Sequence, residues 1–324
     1  MTADKKPRPS IGGQAVLEGV MMRGPASWSV ACRKPDETIA VEAHELPSTA
    51  QRHPWLKWPL FRGVMVLVES LSIGIRALKI SANYALEEEE QLSDKQLGWS
   101  LGVAMVMFSA IFIVLPVLGT RLIENLVGDL SVERPLLFNI IEGSIRLGMF
   151  LGYLLLIGQF KDIRRVFQYH GAEHKTIYAY ENGDELIPKE IDDKYPTLHV
   201  RCGTNFLFIV LFLTIIAHFL IDLFLSGPLI PRLAVRILAI PVLAGIGYEA
   251  IKLASRNEDS LVFRISMLPG LALQRITTKP PTLDQIEVAI AAMEAVAPDE
   301  SERDDAAPDE TDRGSDAAPE APVA

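Results

Sequence analysis

The chain has 324 residues, 49% of them hydrophobic and 22% charged, with a formal net charge of −10. So apolar a composition beside so much charge requires the two classes to be segregated along the chain. The acidity is local, because residues 297–324 carry ten acidic and two basic side chains; the rest is close to neutral, so the net charge points to neither a basic substrate nor a nucleic-acid partner. Two cysteines, Cys32 and Cys202, form no disulfide framework and fit a reducing compartment.

In chain order, residues 1–10 are polar and Pro-rich and lack the apolar stretch of a signal peptide, so the first spanning helix is the expected insertion signal. Residues 1–60 read as a small cytoplasmic β-rich element. Ser27 to Arg33 and Glu37 to Glu45 alternate apolar and polar residues around Lys34-Pro35-Asp36, the pattern of a hairpin. Upstream, the run from Ile11 to Pro25 has neither G-x-G-x-x-G nor P-loop spacing. It reads as turns leading into the hairpin, with Glu18 and Arg23 as candidate pocket residues. Within 61–97, residues 61–85 have helical periodicity, but Arg62, Glu69, Arg76 and Lys79 interrupt it. That suits an interfacial amphipathic helix or a packed soluble one better than a span.

A spanning helix needs about 20 mostly apolar residues. Four segments qualify: 98–120, 136–160, 203–226 and 233–251. In the second, Glu142 and Arg146 are spaced to pair on one face. Lys and Arg concentrate in the N-terminal region, in the 161–202 loop and after the fourth segment. The positive-inside rule then places both termini in the cytoplasm, in the cell (inner) membrane. Within the cytoplasmic segment 254–296, Val262 to Ser266 reads as a strand, and Thr282-x-x-Gln285 as a capping box opening a helix to about Val296. The tail, 297–324, has the composition of disorder. The expected fold is a mainly α membrane protein with about four transmembrane helices and a small cytoplasmic β-containing N-terminal element.

The sharpest local pattern is His170-Gly171-Ala172-Glu173-His174, an H-x-x-E-H sequence of the inverted zincin type. On a helix, residues i and i+4 share a face, so His170 and His174 can hold one metal ion and Glu173 can act as the base. The second spanning segment is expected to run straight into this pattern through residues 161–165, and Asn182-Gly183 supplies the stop for such a helix. Three of the six histidines, His170, His174 and His199, fall in this one loop. Glu181 lies roughly 16 Å up the axis from His170, too far to share the ion. Glu249, His199 and Cys202 remain as further ligands, and Arg201 as an anion contact. The bland alternative is a juxtamembrane helix with two surface histidines, Glu249 bridged to Lys252 or Arg201, and Cys202 a small packing residue.

Four segments carry a family resemblance: GGQAVLEGVMMRGP (12–25), YHGAEHKTIYAYE (169–181), HVRCGTNFL (199–207) and LPGLALQRITTKPP (268–281). In this order they resemble the bacterial YqhQ-like family, domain of unknown function 1385, over roughly residues 10 to 295. The resemblance implies a multi-span membrane protein described as a predicted metal-dependent enzyme. Its motifs fall on Glu18, His170, Glu173, His174, His199, Arg201 and Cys202. The expectation is a metal-dependent membrane hydrolase using a divalent ion, zinc being the candidate, in contact with the lipid bilayer and with no nucleic acid. The alternative is a non-catalytic scaffold or assembly factor.

Overall fold

The computed structural model describes residues 8–9, 11–46, 58, 61–85, 93–128, 135–200, 202–224, 229–254 and 260–297. Arg201 and the acidic tail beyond residue 297, both singled out in the sequence, lie outside these residues. The chain begins with β1 (Gly12–Val16), β2 (Gly19–Arg23), β3 (Ser27–Arg33) and β4 (Ile39–Glu45), an antiparallel meander in sequence order. The anticipated hairpin is β3–β4, with Ser27 opposite Glu45. The run expected to be turns is a second hairpin, β1–β2, in which Val16 pairs with Gly19 across a two-residue loop. Only Leu17 and Glu18 turn there, and Glu18 adopts φ 48°. Without an Asn-Gly or Asp-Gly pair, the sequence lacked the usual hairpin signal.

The helices are α1 (Phe61–Ala85), α2 (Asp94–Ser109), a π segment (Ala110–Val114), α3 (Leu115–Val127), α4 (Pro135–Ile157), α5 (Lys161–Glu181), α6 (Pro188–Lys194), α7 (Gly203–Phe224), α8 (Leu229–Ala254), α9 (Leu261–Thr277) and α10 (Leu283–Glu294). The widened π turn precedes Pro116, whose ring cannot share a regular α turn with the residues before it. Among the described residues, three helical stretches are long and apolar enough to cross a membrane: Gly98–Ile123, Leu137–Ile157 and Gly203–Ile221. The fourth expected span lies in α8, which carries Arg236, Pro241, Glu249 and Lys252 and is not among those three.

The sheet is covered on both faces. Val20, Met22 and Ala31 point toward α5 and α10, where they join Tyr169, Ala172, Ile177, Ile286, Ala289 and Met293 in one core. Met21, Trp28, Val30 and Cys32 point the other way, onto Ile73 and Ala77 of α1. This period-two division is that of a strand buried on both faces. Ser29 reaches the same side as α10 and donates to the Ala292 carbonyl at 2.6 Å. Segments far apart in sequence (the sheet, the middle of the chain and α10) therefore share one core. Helix α10 starts where the capping box placed it, with the Thr282 amide donating to Gln285 Oε1 at 3.0 Å.

Two expectations about local structure are corrected. Residues 262–266 are not a strand; they belong to the beginning of α9, whose Met267, Gly270, Gln274 and Thr277 are buried at helical spacing. A run of five residues does not separate a strand from a turn of helix by periodicity. Nor does the second span run straight into the H-x-x-E-H segment, because α4 ends at Ile157 and Phe160 is extended, with ψ 136°, before α5 begins. Helix α1 is packed on both halves. Its second half lies on the sheet, and near its start Gly63 meets Gly245 and Tyr248 of α8.

One charged cluster lies inside the bundle. Glu142 on α4 accepts from Arg146 one turn later at 2.6 Å and from both terminal nitrogens of Arg236 on α8 at 2.8 and 3.1 Å. Arg146 also lies 2.9 Å from His218 Nδ1 on α7. All four side chains are buried. The expected Glu142–Arg146 pair is thus present, and it is extended to three helices. Charges at such a position face the bundle interior and pair with one another.

Candidate metal centre

The centre is built on the middle of α5. His170 and His174 are one turn apart, with ring centroids 4.4 Å from each other. Cys202 comes from the turn just before α7. One donor atom from each of His170, His174 and Cys202 lies within 4.8 Å of the other two. Around a tetrahedral zinc ion, N and S donors sit roughly 3.3–3.8 Å apart, so the three groups need about an ångström of closure.

Each histidine is fixed by its other nitrogen. His170 Nδ1 donates to the Thr277 carbonyl at 2.9 Å, and His174 Nδ1 donates to the Thr197 carbonyl at 2.5 Å. A carbonyl can only accept, so the proton sits on Nδ1 and the Nε2 lone pair is presented to the site. Such hydrogen bonds on the far nitrogen are what orient metal-bound histidines. His170 Nε2 lies 3.2 Å from Cys202 Sγ. His174 Nε2 and Glu173 Oε2 are buried, and neither has a hydrogen-bond partner among the described residues. Unpartnered buried polar atoms are costly, and two of them beside a thiol and an imidazole suit a bound ion or a reacting group.

The electrostatics agree with that reading. Burial, aided by neighbouring His170 and His199, holds the His174 imidazole well below its usual range, so it stays in the neutral form that binds metals. Burial pushes the Glu173 carboxyl up to about 8, against the opposing pull of His170. Burial also raises the Cys202 thiol, although the Thr204 hydroxyl and amide, 3.1 and 3.4 Å from the sulfur, favour the thiolate. A metal ion would offset that burial effect by taking the thiolate directly.

Two glycines make the close packing possible. A Cβ at Gly13 on β1 would fall 2.6 Å from Glu173 Oε1, so the strand can cover the carboxylate only there. A Cβ at Gly171 would collide with the Lys279 carbonyl, whose chain crosses α5 at that point. The Lys279 amide donates to the Phe167 carbonyl at 2.9 Å, which holds the crossing segment in place. Gly171→Ala is therefore expected to cost about 1–3 kcal/mol through overpacking and to displace the Thr277 carbonyl from His170. Thermal unfolding of the two purified proteins would show this, and equal midpoints would count against the crossing.

The remaining sequence candidates separate. His199 is buried, with its ring 5.5 Å from that of His174, but its Nε2 faces Glu181 Oε2 at 3.6 Å. Glu249 does not join the donor group. It accepts from Arg62 of α1 at 3.2 and 2.6 Å, a partner foreseen neither by the ligand reading nor by the bland alternative of Lys252 or Arg201. Glu18 pairs with Arg165 and accepts from the Tyr169 hydroxyl at 3.4 Å. Arg23 pairs with Glu69 at 3.0 Å. Glu18 and Arg23 thus tie the sheet to α5 and α1.

Sequence reasoning missed the groups that aim the centre. Gln274 accepts from the His199 amide and donates to the His199 carbonyl, both at 2.8 Å. Asn205 donates to the Val200 carbonyl at 2.5 Å. The only signal was that these residues fall in the two segments 199–207 and 268–281, and neither Asn205 nor Gln274 was itself assigned any chemistry.

The family described as a protein of unknown function, DUF1385, matches residues 58–299. The uncharacterized protein YqhQ of Bacillus subtilis (strain 168) is 34% identical over 304 residues, covering 90% of this chain and 92% of the relative. No solved structure matches the chain. The extent of the family match, together with this identity along nearly the whole of both chains, means that the chain belongs to the DUF1385 (YqhQ-like) family.

Proposed function

We propose that the chain is a metal-dependent membrane enzyme, a hydrolase in class, whose centre is held by His170, His174 and Cys202. The observation that carries this is the convergence of these three donors while both imidazoles are locked by carbonyls on their far nitrogens. A divalent ion there, zinc by its donor set of two imidazole nitrogens and one sulfur, supplies a Lewis acid and a water of lowered pKa. Glu173 is the group beside the donors that holds or moves a proton, with Oε2 as the open atom. His199 and Glu181 support His174 from behind. Arg201, next to Cys202 in sequence, is the proposed anion contact.

The proposal includes a cytoplasmic placement in the cell membrane with both termini inside. It is supported by the Lys and Arg of the 161–202 loop and of the segment after α8. It also takes α8 as the fourth span. Arg236 lowers the apolarity of that helix, yet its charge meets Glu142 inside the bundle, and Gly247, eleven residues on, packs against Val210 of α7.

Elemental analysis of the full-length protein purified in detergent tests the metal. The expected result is a stoichiometric divalent metal in the wild type and little in His174→Ala or Cys202→Ser, with circular dichroism unchanged. Equal metal content in all three would sink the enzyme reading. It would favour a non-catalytic scaffold, for which the His170–Cys202–Thr204 hydrogen bonds simply tie α5 to α7.

A further inference from the structure

Helix α9 has two opposite faces. Met267, Gly270, Gln274 and Thr277 are buried, spaced three, four and three residues apart. On the other side Leu261, Ile265 and Leu268 are exposed, by 70%, 55% and 59%, at i, i+4 and i+7. Arg264 and Arg275 are also exposed and flank this stripe along one edge. An apolar stripe of large side chains edged by arginines is the pattern of a helix lying in a membrane interface.

The buried face says which surface covers the exposed one. Leu273 packs with Phe150 and Leu154 of α4, and Leu211 of α7 packs against the same cluster. Gly270 lets α9 approach Asn205, at the start of α7, where a Cβ would overlap the side-chain amide. Helices α4 and α7 both contain stretches long and apolar enough to span. The stripe on α9 is therefore continuous with the apolar flanks of the bundle.

We infer that α9 is seated in the bilayer interface, with Leu261, Ile265 and Leu268 among the upper acyl chains and Arg264 and Arg275 among the lipid phosphates. Resting on the metal-enzyme reading above, the inference extends to the substrate. The same helix holds His170 through the Thr277 carbonyl. Glu173 and His174 are buried under the sheet side, and His170 and Cys202 are the partly open members of the centre. The half-buried side of the centre thus lies beside α9 and α7, which the seat of α9 puts at headgroup depth. Its substrate is an amphiphile whose reacting group lies in the headgroup layer, not a freely soluble metabolite.

The test uses the full chain in nanodiscs of phosphatidylglycerol and phosphatidylcholine. Ile265→Trp and Leu268→Trp are compared with Lys189→Trp on α6, each as the emission added to the wild-type background. Lipids brominated on the upper acyl carbons are expected to quench most of the added emission at 265 and 268 and little at 189, since an interfacial helix buries its apolar face about 5–10 Å. Equal quenching at 265 and 189 would overturn the seat. The depth of the centre is read separately, by loading the protein with cobalt(II) and following the phosphorus NMR linewidth of the lipids. Broadening in the wild type that is lost in His174→Ala is expected. Bound cobalt without broadening would overturn the amphiphile assignment. Failure of cobalt to bind at all would instead sink the metal reading and the substrate class with it, leaving the seat of α9 to stand or fall on the tryptophan data.

Discussion

Glu142→Gln is expected to be the most destabilising single substitution in the bundle, costing about 3–5 kcal/mol. One carboxylate serves two arginines on two helices, accepting from Arg146 at 2.6 Å and from Arg236 at 2.8 and 3.1 Å. An amide keeps the shape but withdraws the charge that both guanidinium groups share in a site only 2–5% exposed. Breaking a buried pair costs far more than the pair contributes when intact, because the remaining charge stays desolvated. Pairing the change with Arg236→Met should recover part of the loss, since an unbranched apolar side chain removes one stranded charge. Asp193→Asn provides the contrast. Its partner Lys189 is 67% exposed on the side chain, so the change should stay within about 1 kcal/mol. Thermal unfolding in a single detergent compares these three variants with the wild type. A Glu142→Gln midpoint no lower than that of Asp193→Asn would contradict the role given to the cluster.

The sequence carried the bundle and half of the centre, and the reason differs for each part. Helices 98–123, 137–157 and 203–221 announce themselves because length and apolarity are properties of a continuous stretch. The α8 segment holds its charge against a partner 94 residues away, which no window along the chain can see. His170, Glu173 and His174 were legible because a helix turns local spacing into shared position. The third donor was not, because Cys202, His199 and Glu249 were equivalent in sequence terms. Tertiary partners decide between them: Arg62 takes Glu249, Glu181 faces His199, and Cys202 is left beside His170. The β1–β2 hairpin was missed for lack of turn residues, and its place in the fold depends on glycines whose neighbours are remote. Gly13 admits Glu173 from a distance of 160 residues in sequence. The segment 268–281 gave no chemical signal because its contribution comes from backbone carbonyls and one amide side chain, groups without a titratable signature.

That amide gives the second large effect. Gln274→Ala is expected to weaken metal binding by about 10–100-fold, the usual cost of losing a group that orients a ligand from behind, although Gln274 is in contact with no donor atom. It is fully buried and satisfies both the amide and the carbonyl of His199, each at 2.8 Å. Three residues later the same turn delivers Cys202, whose amide is 3.4 Å from the His199 carbonyl. Truncation leaves the buried His199 amide unpaired, worth about 1–3 kcal/mol, and leaves its carbonyl with only the long bond from the Cys202 amide, so the turn must move to rehydrate them. The sulfur would move with it, while His170 and His174, fixed on α5 by other carbonyls, stay in place. Gln274→Glu distinguishes positioning from bulk packing. The carboxylate can still accept from the His199 amide but cannot donate to its carbonyl, so its affinity should fall between those of wild type and Gln274→Ala. Zinc affinity measured by competition with a chelator, beside the charge-transfer band of the cobalt form that reports the Cys202 thiolate, gives both readouts. A Gln274→Ala protein that unfolds earlier yet keeps wild-type affinity and an unchanged band would show that this glutamine stabilises the fold without aiming the centre.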